Sequence, residues 1–232
     1  LFYEARLRAA ELLRESGRTS EAIQQVEIAA HAAGHDLERK LETAMALSLI
    51  DEKRGDAAMA VRRLETLRTK HPDHLPLTLT LALIEERRGA WRRALDLVEG
   101  LLKKKPGAVE LLNFWGFVAS DHGHDLAMAR KRLQSAAARD PGSSAILDSL
   151  GWVSFRAGEL DRASLFLEQA IRLTPDDPEI LTHLGDLYSK RAETERAVFA
   201  YRKAIEQNPD ERLRRRLEES LSRLESHRAA GR

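Results

Sequence analysis

Proline recurs in this chain at a fixed interval. Five of the seven prolines, Pro72, Pro106, Pro141, Pro175 and Pro209, are separated by 34, 35, 34 and 34 residues. Glycine keeps the same interval in another register. Gly17, Gly55, Gly89, Gly123 and Gly158 are separated by 38, 34, 34 and 35 residues, and Ala192 stands 34 residues beyond Gly158. Two kinds of backbone punctuation sharing one period mark an array of repeated supersecondary units.

Between the punctuators the apolar spacing is helical. Leu181, Leu184, Leu187 and Tyr188 form one stripe, and Ala197, Tyr201, Ala204 and Ile205 form another, both at three- and four-residue steps. No segment sustains a period of two, so no strands are expected. Glycine reaches the left-handed region without a steric penalty and so ends each first helix. Proline pushes the residue before it out of the α region and so follows each second helix. Asp140, Thr174, Asp177 and Asn208 beside the prolines are suited to turns and N-caps. Small residues recur where paired helices must approach: Gly116, Ala129 and Ala136; Gly151, Ala163 and Ala170; Gly185, Ala197 and Ala204.

These residues resemble the tetratricopeptide repeat (TPR) pattern, W-x2-L-G-x2-Y, then A-x3-F, then P. One unit reads Leu181, Leu184, Gly185, Tyr188, Ala197, Tyr201 and Pro209; the unit before it reads Leu147, Leu150, Gly151, Ala163, Leu167 and Pro175. The resemblance covers nearly the whole chain. It weakens at the N-terminus, where a 38-residue first unit carries Ala10 but no closing proline. It implies an all-α solenoid of stacked helix-turn-helix repeats wound into a right-handed superhelix. Six repeats are expected at about 3–40, 41–74, 75–108, 109–143, 144–177 and 178–211. A thirteenth helix at about 212–227 presents Leu213, Leu217, Leu221 and Leu224 on one face and caps the array. Residues 228–232 are expected to form a frayed tail.

In TPR proteins the first helices line a concave groove. The family's groove positions fall here on Leu7, Met45, Leu79, Asn113, Asp148 and Thr182, and on Glu11, Leu49, Leu83, Phe117, Trp152 and Asp186, with Phe114, Phe155 and His183 beside them. The expected site is an apolar stripe with polar ends. Its aromatic side chains would anchor a peptide or amphipathic helix, and Asn113 would hold the ligand's main chain. Two other readings stand beside it. In one, packing between neighbouring first helices closes off the second stripe position; in the other, Asp148 and Asp186 are solvated or locally capped carboxylates. The lysine and asparagine clamp of chaperone-tail TPRs is not matched, since only Asn113 is in place.

A narrower resemblance covers residues 113–209. An extra residue near Asp125, the run Asp148-Ser149-Leu150-Gly151-Trp152 and the run His183-Leu184-Gly185-Asp186 follow one another. This succession resembles a group of bacterial TPR proteins, many of them outer-membrane lipoproteins. Some of these are adaptors for periplasmic carboxy-terminal processing proteases. The resemblance implies an envelope adaptor in the periplasm or anchored at the outer membrane; a cytoplasmic protein is the alternative. The chain begins at Leu1 rather than Met, so a lipid anchor would lie upstream of it, and is the only membrane attachment expected. Arg outnumbers Lys 29 to 9, as in a GC-rich bacterial genome.

Other functions are constrained by composition. Lys+Arg is 38 and Asp+Glu is 37, a net charge of +1, too balanced for an obligate nucleic-acid binder. Without cysteine there is no disulfide, thiolate metal site or cysteine nucleophile. No apolar run approaches the roughly 18 residues that span a bilayer. Asp121, His122, His124 and Asp125 are metal-ligating types, but four ligands in five residues rarely converge on one ion, and the run reads as a hydrophilic turn. His183, Asp186 and Asp148 fall near one another as a carboxylate and histidine set, yet no nucleophile or phosphate loop accompanies them. The expectation is a non-enzymatic scaffold with no cofactor or metal and a protein or peptide partner. A homodimer through the apolar stripe or the terminal helix is the alternative.

Overall fold

The computed structural model describes the backbone of residues 2–230 and the side chains of residues 2–226. Among the described residues there are thirteen helices and no strand. They are α1 (Phe2–Glu15), α2 (Thr19–Ala33), α3 (Leu37–Lys53), α4 (Ala57–Lys70), α5 (Leu75–Arg87), α6 (Trp91–Leu102), α7 (Val109–Asp121), α8 (Leu126–Ala137), α9 (Ser144–Arg156), α10 (Leu160–Leu173), α11 (Pro178–Lys190), α12 (Thr194–Glu206) and α13 (Glu211–Ala230).

The punctuation acts where the spacing places it. Gly17, Gly55, Gly89, Gly123 and Gly158 all follow a first helix with φ between 64° and 91°, and Ala192 adopts φ 59° at the sixth such turn. The extra residue of the fourth repeat lies in the turn 122–125, and Asp125 absorbs it at φ 41°. Its carboxylate accepts from Met128 N at 3.0 Å and so caps α8. Asp177 caps α11 through Glu179 N and Ile180 N. Ser143, rather than Asp140, caps α9, and His74 caps α5 with Nδ1 accepting from Leu77 N.

Two boundaries differ from the sequence reading. The second repeat was expected to begin at residue 41, but α3 starts at Leu37 and runs 17 residues, about one turn longer than the 13 of α5. The surplus of the 38-residue interval therefore lies mostly in that helix, whose start Asp36 caps at 3.1 Å to Arg39 N. At the other end α13 runs through Ala230 rather than stopping at 227. After Pro209 the next Gly or Pro is Gly231, so no helix breaker intervenes. Residues 231 and 232 of the expected tail lie outside the described residues.

The chain divides into two compact units, Leu1–Pro106 with α1 to α6 and Gly107–Arg232 with α7 to α13. Within each, a first helix packs on its own second helix and on the first helix of the next repeat. The first unit buries Leu64, Leu77, Leu81 and Ile84 together, and Ala10, Ala22, Val26 and Ile50 together. The second buries Leu167, Leu184, Leu187, Tyr201 and Leu217 in one cluster, with Leu213, Leu221 and Leu224 of α13 packed against it. The apolar face of α13 is thus turned into its own unit. The close approach depends on glycine: a Cβ on Gly151 would lie 2.6 Å from Leu167 Cγ, and one on Gly116 2.5 Å from Leu133 Cγ.

Candidate functional site

In Leu1–Pro106 the first helices α1 and α3 leave an open cleft of about 450 Å³ between them. Leu7, Met45, Ala46 and Leu49 form its apolar floor, and Arg8, Glu11 and Arg14 stand on its rim. Rim charge is largely compensated locally, Arg8 with Glu11 and Arg14 with Glu15. Glu42, on the opposite wall, accepts from Tyr3 Oη at 2.8 Å. Burial and this carboxylate push the Tyr3 hydroxyl well above its ordinary range. Met45 itself is buried, and Leu49 is half-buried. Leu79 and Leu83 hold the corresponding positions on α5 and are half-buried as well.

In Gly107–Arg232 the predicted groove residues separate into two sets. Asn113, Phe114, Phe117, Phe155 and Asp186 are half-buried and keep accessible surface. Asp148, Trp152 and Thr182 do not line a groove as expected; they are buried, and so is His183 but for an edge that leaves 6% of its side chain exposed. The reason is the contact of α9 with α7 and of α11 with α9, which covers side chains aimed at the preceding first helix. Trp152, 4% exposed, stacks on His183 at a ring separation of 4.3 Å and on Phe155 at 5.0 Å. Its Nε1 donates to Asp121 Oδ1 at 3.2 Å. Thr182 Oγ1 donates to the Pro178 carbonyl.

His183 Nδ1 lies 2.8 Å from Asp148 Oδ1 inside this layer. Burial works against the imidazolium, but the charge and hydrogen bond of Asp148, with Asp186 behind them, outweigh it and hold the group above its ordinary value of 6.5. Asp186 is anchored rather than displayed. It accepts from Tyr201 Oη at 2.7 Å and pairs with Arg216 of α13. Burial and Asp186 together push the Tyr201 hydroxyl upward.

Ser149, next to Asp148 in sequence, donates its hydroxyl to the Ala145 carbonyl. Asp121 is engaged by Trp152 and Asp125 by its cap, so the carboxylates of the candidate metal turn have structural work. Among the described residues no three His, Cys, Asp or Glu side chains gather as metal ligands. No helix among them is long and apolar enough to cross a membrane.

One polar feature went unread in the sequence. Glu85 is 1% exposed, with Arg93 at 3.2 Å and Arg88 at 3.6 Å and no hydrogen bond to either oxygen. Desolvation raises its carboxyl, against the pull of Arg88. The signal was present: Glu85 and Arg93 hold the repeat positions of Tyr188 and Arg196, which are hydrogen-bonded at 2.9 Å.

Tetratricopeptide repeat models match residues 45–109, 121–178 and 154–221. The chain belongs to the tetratricopeptide repeat family. Among curated proteins it is similar to the TPR repeat-containing protein PA4667 of Pseudomonas aeruginosa PAO1, 27% identical over 172 residues. That match takes in 74% of this chain and 28% of the relative, so the chain spans a minor part of that protein. Among solved structures it is similar to a chain of the APC/C hetero-tetramer Cut9–Hcn1, with a TM-score of 0.74 and 18% identity over 94% of this chain and 42% of that one. A tetratricopeptide repeat protein from Parabacteroides merdae gives a TM-score of 0.57 and 14% identity over 96% and 98% of the two chains. These likenesses show the fold. TPR arrays generally mediate protein–protein interaction.

Proposed function

We propose that this TPR protein is a scaffold that holds a peptide or amphipathic helix of a partner protein against its first helices. The observation that carries the reading is the apolar cleft between α1 and α3. It is open, is floored by Leu7, Met45, Ala46 and Leu49, and is of a size to take one or two apolar side chains. The half-buried Phe114, Phe117 and Phe155 offer a separate surface in the second unit. Such aromatic side chains supply contact area at low entropic cost.

A short random-peptide library panned on the full chain tests this. Selected peptides should lose roughly tenfold or more in affinity on Leu49→Lys or Phe117→Ala, with far-UV circular dichroism unchanged. Peptides indifferent to both substitutions would contradict it.

The finer reading is a bacterial envelope adaptor that presents substrates to a periplasmic carboxy-terminal processing protease. It is supported by the succession of Asp148-Ser149-Leu150-Gly151-Trp152 and His183-Leu184-Gly185-Asp186 after a lengthened fourth repeat. Adding the chain to such a protease from the same bacterium should accelerate cleavage of a envelope substrate. Unchanged cleavage, with no complex by gel filtration, would remove the adaptor reading and leave the scaffold.

A further inference from the structure

One titratable group on the first helices of Gly107–Arg232 has a reactive edge that no neighbour uses. His183 contacts Asp148 through Nδ1 at 2.8 Å. Held this way, a neutral imidazole keeps its proton on Nδ1 and offers Nε2 only as an acceptor. The protonated ring carries a hydrogen on both nitrogens, so Nε2 becomes a donor. No hydrogen bond is formed by Nε2 among the described residues, and it is not one of the polar atoms sealed from solvent without a partner. The side chain keeps 6% of its surface exposed. Trp152 stacks on the ring at 4.3 Å and Phe117 of α7 stands tilted to it at 6.0 Å. Asn113 lies one helical turn before Phe117 on the same face of α7.

The charges around His183 are balanced. From α9 comes Asp148, from α11 itself Asp186, and from α13 Arg216, which pairs with Asp186. At the C-terminal end of α7, Asp121 binds Trp152 Nε1 and faces Arg156 at 3.6 Å. With His183 protonated each carboxylate has its cation, and no positive charge remains for a ligand carboxylate to answer. The complement of a single N–H donor in a neutral, aromatic setting is a neutral carbonyl oxygen.

We propose that Nε2 of His183 is a proton-gated subsite for a main-chain carbonyl oxygen of a peptide lying across α7 and α11, engaged when the imidazole is protonated and lost when it is not. This rests on the groove reading above. Burial pulls the imidazole down, but Asp148 and Asp186 outweigh it and move the transition upward from 6.5. By linkage, a peptide that needs the proton must also tighten its hold on it.

The test uses library-selected peptides whose binding depends on Phe117. Their affinity for the full chain is measured by calorimetry from about pH 6 upward through the His183 titration, located by nitrogen-15 spectra, on the wild type and on His183→Gln, whose amide can donate throughout. Wild-type affinity should fall roughly tenfold or more over that range, as expected for loss of a charged donor, while His183→Gln stays flat. If His183→Gln does not fold, nitrogen-15 spectra of the wild type serve instead, and adding peptide should shift the His183 titration to higher pH. Peptides that depend on Phe117 but bind wild type equally on both sides of the His183 titration, or leave that titration unmoved, would overturn the gate and leave the groove standing. Failure to select any Phe117-dependent peptide would overturn both.

Discussion

Alanine at Gly151 and alanine at Gly100 are the same chemical change inside a helix, and the structure gives them opposite signs. Intrinsic propensity favours alanine by about 0.8–1 kcal/mol in each case. At Gly100 in α6 a new Cβ would meet no heavy atom within 4 Å, so Gly100→Ala should stabilise by about that amount. At Gly151 in α9 the Cβ would lie 2.6 Å from Leu167 Cγ, 2.7 Å from its Cδ2 and 3.3 Å from its backbone nitrogen. Leu167 has no exposed surface, so displacing it disturbs close-packed neighbours. Overpacking of this kind costs about 1–3 kcal/mol, which after the propensity gain leaves a net loss of up to about 2 kcal/mol. Urea unfolding followed by circular dichroism gives the sign. Native-state hydrogen exchange shows whether the loss is confined to Gly107–Arg232, as it should be in an array whose repeats contact mainly their neighbours. The loss should also shrink in a Leu167→Ala background, where the clash has no partner. Gly151→Ala at or above wild-type stability, or equal losses in both leucine backgrounds, would refute the packing argument.

Three further outcomes follow from named contacts. Trp152→Ala removes the stacking on His183 and Phe155 and leaves Asp121 without its indole donor, so the second unit should lose about 3–5 kcal/mol by urea unfolding; a loss below about 1 kcal/mol would mean the indole is not core. Glu85→Met removes a buried carboxylate whose folded pKa is raised above 4.5, a group that weakens the fold as pH climbs through that value; the variant should equal or exceed wild-type stability at neutral pH, with the advantage fading in acid, and a large loss would show the Arg93 and Arg88 contacts to be net stabilising. His183 holds its proton more tightly folded than unfolded, so its contribution is complete below about pH 6.5 and is lost as pH rises through the folded value; thermal melts should show this fall in wild type and not in Asp148→Asn.

The period was legible because its punctuation obeys local rules. A left-handed residue must end each first helix, and glycine supplies it at five turns. The insertion at Asp125 was visible as a one-residue lengthening of the interval, and its left-handed φ shows where the surplus went. The long α3 was not, because the 38-residue interval alone does not say which helix carries the extra turn. The contents of the groove were legible as positions and not as surfaces. Phe117 and Trp152 occupy the same place in successive repeats, yet one is half-buried and the other almost closed. The difference comes from Asp121, which holds the indole by a hydrogen bond, and from the stacking of Trp152 on His183 and Phe155. The proximity of His183 to Asp148 was foreseen; that Nδ1 alone would be used is a property of geometry. Glu85 was missed because an acidic residue on a helix ordinarily reads as solvated.

Hydrogen exchange of the full chain with and without a library-selected peptide tests the central claim most directly. The first helices are then predicted to gain protection, led by α1 and α3 around Leu49 and by α7 around Phe117, while the second helices α4, α6, α10 and α12 change little. Protection concentrated on those second helices would place the partner on the opposite face and contradict the account.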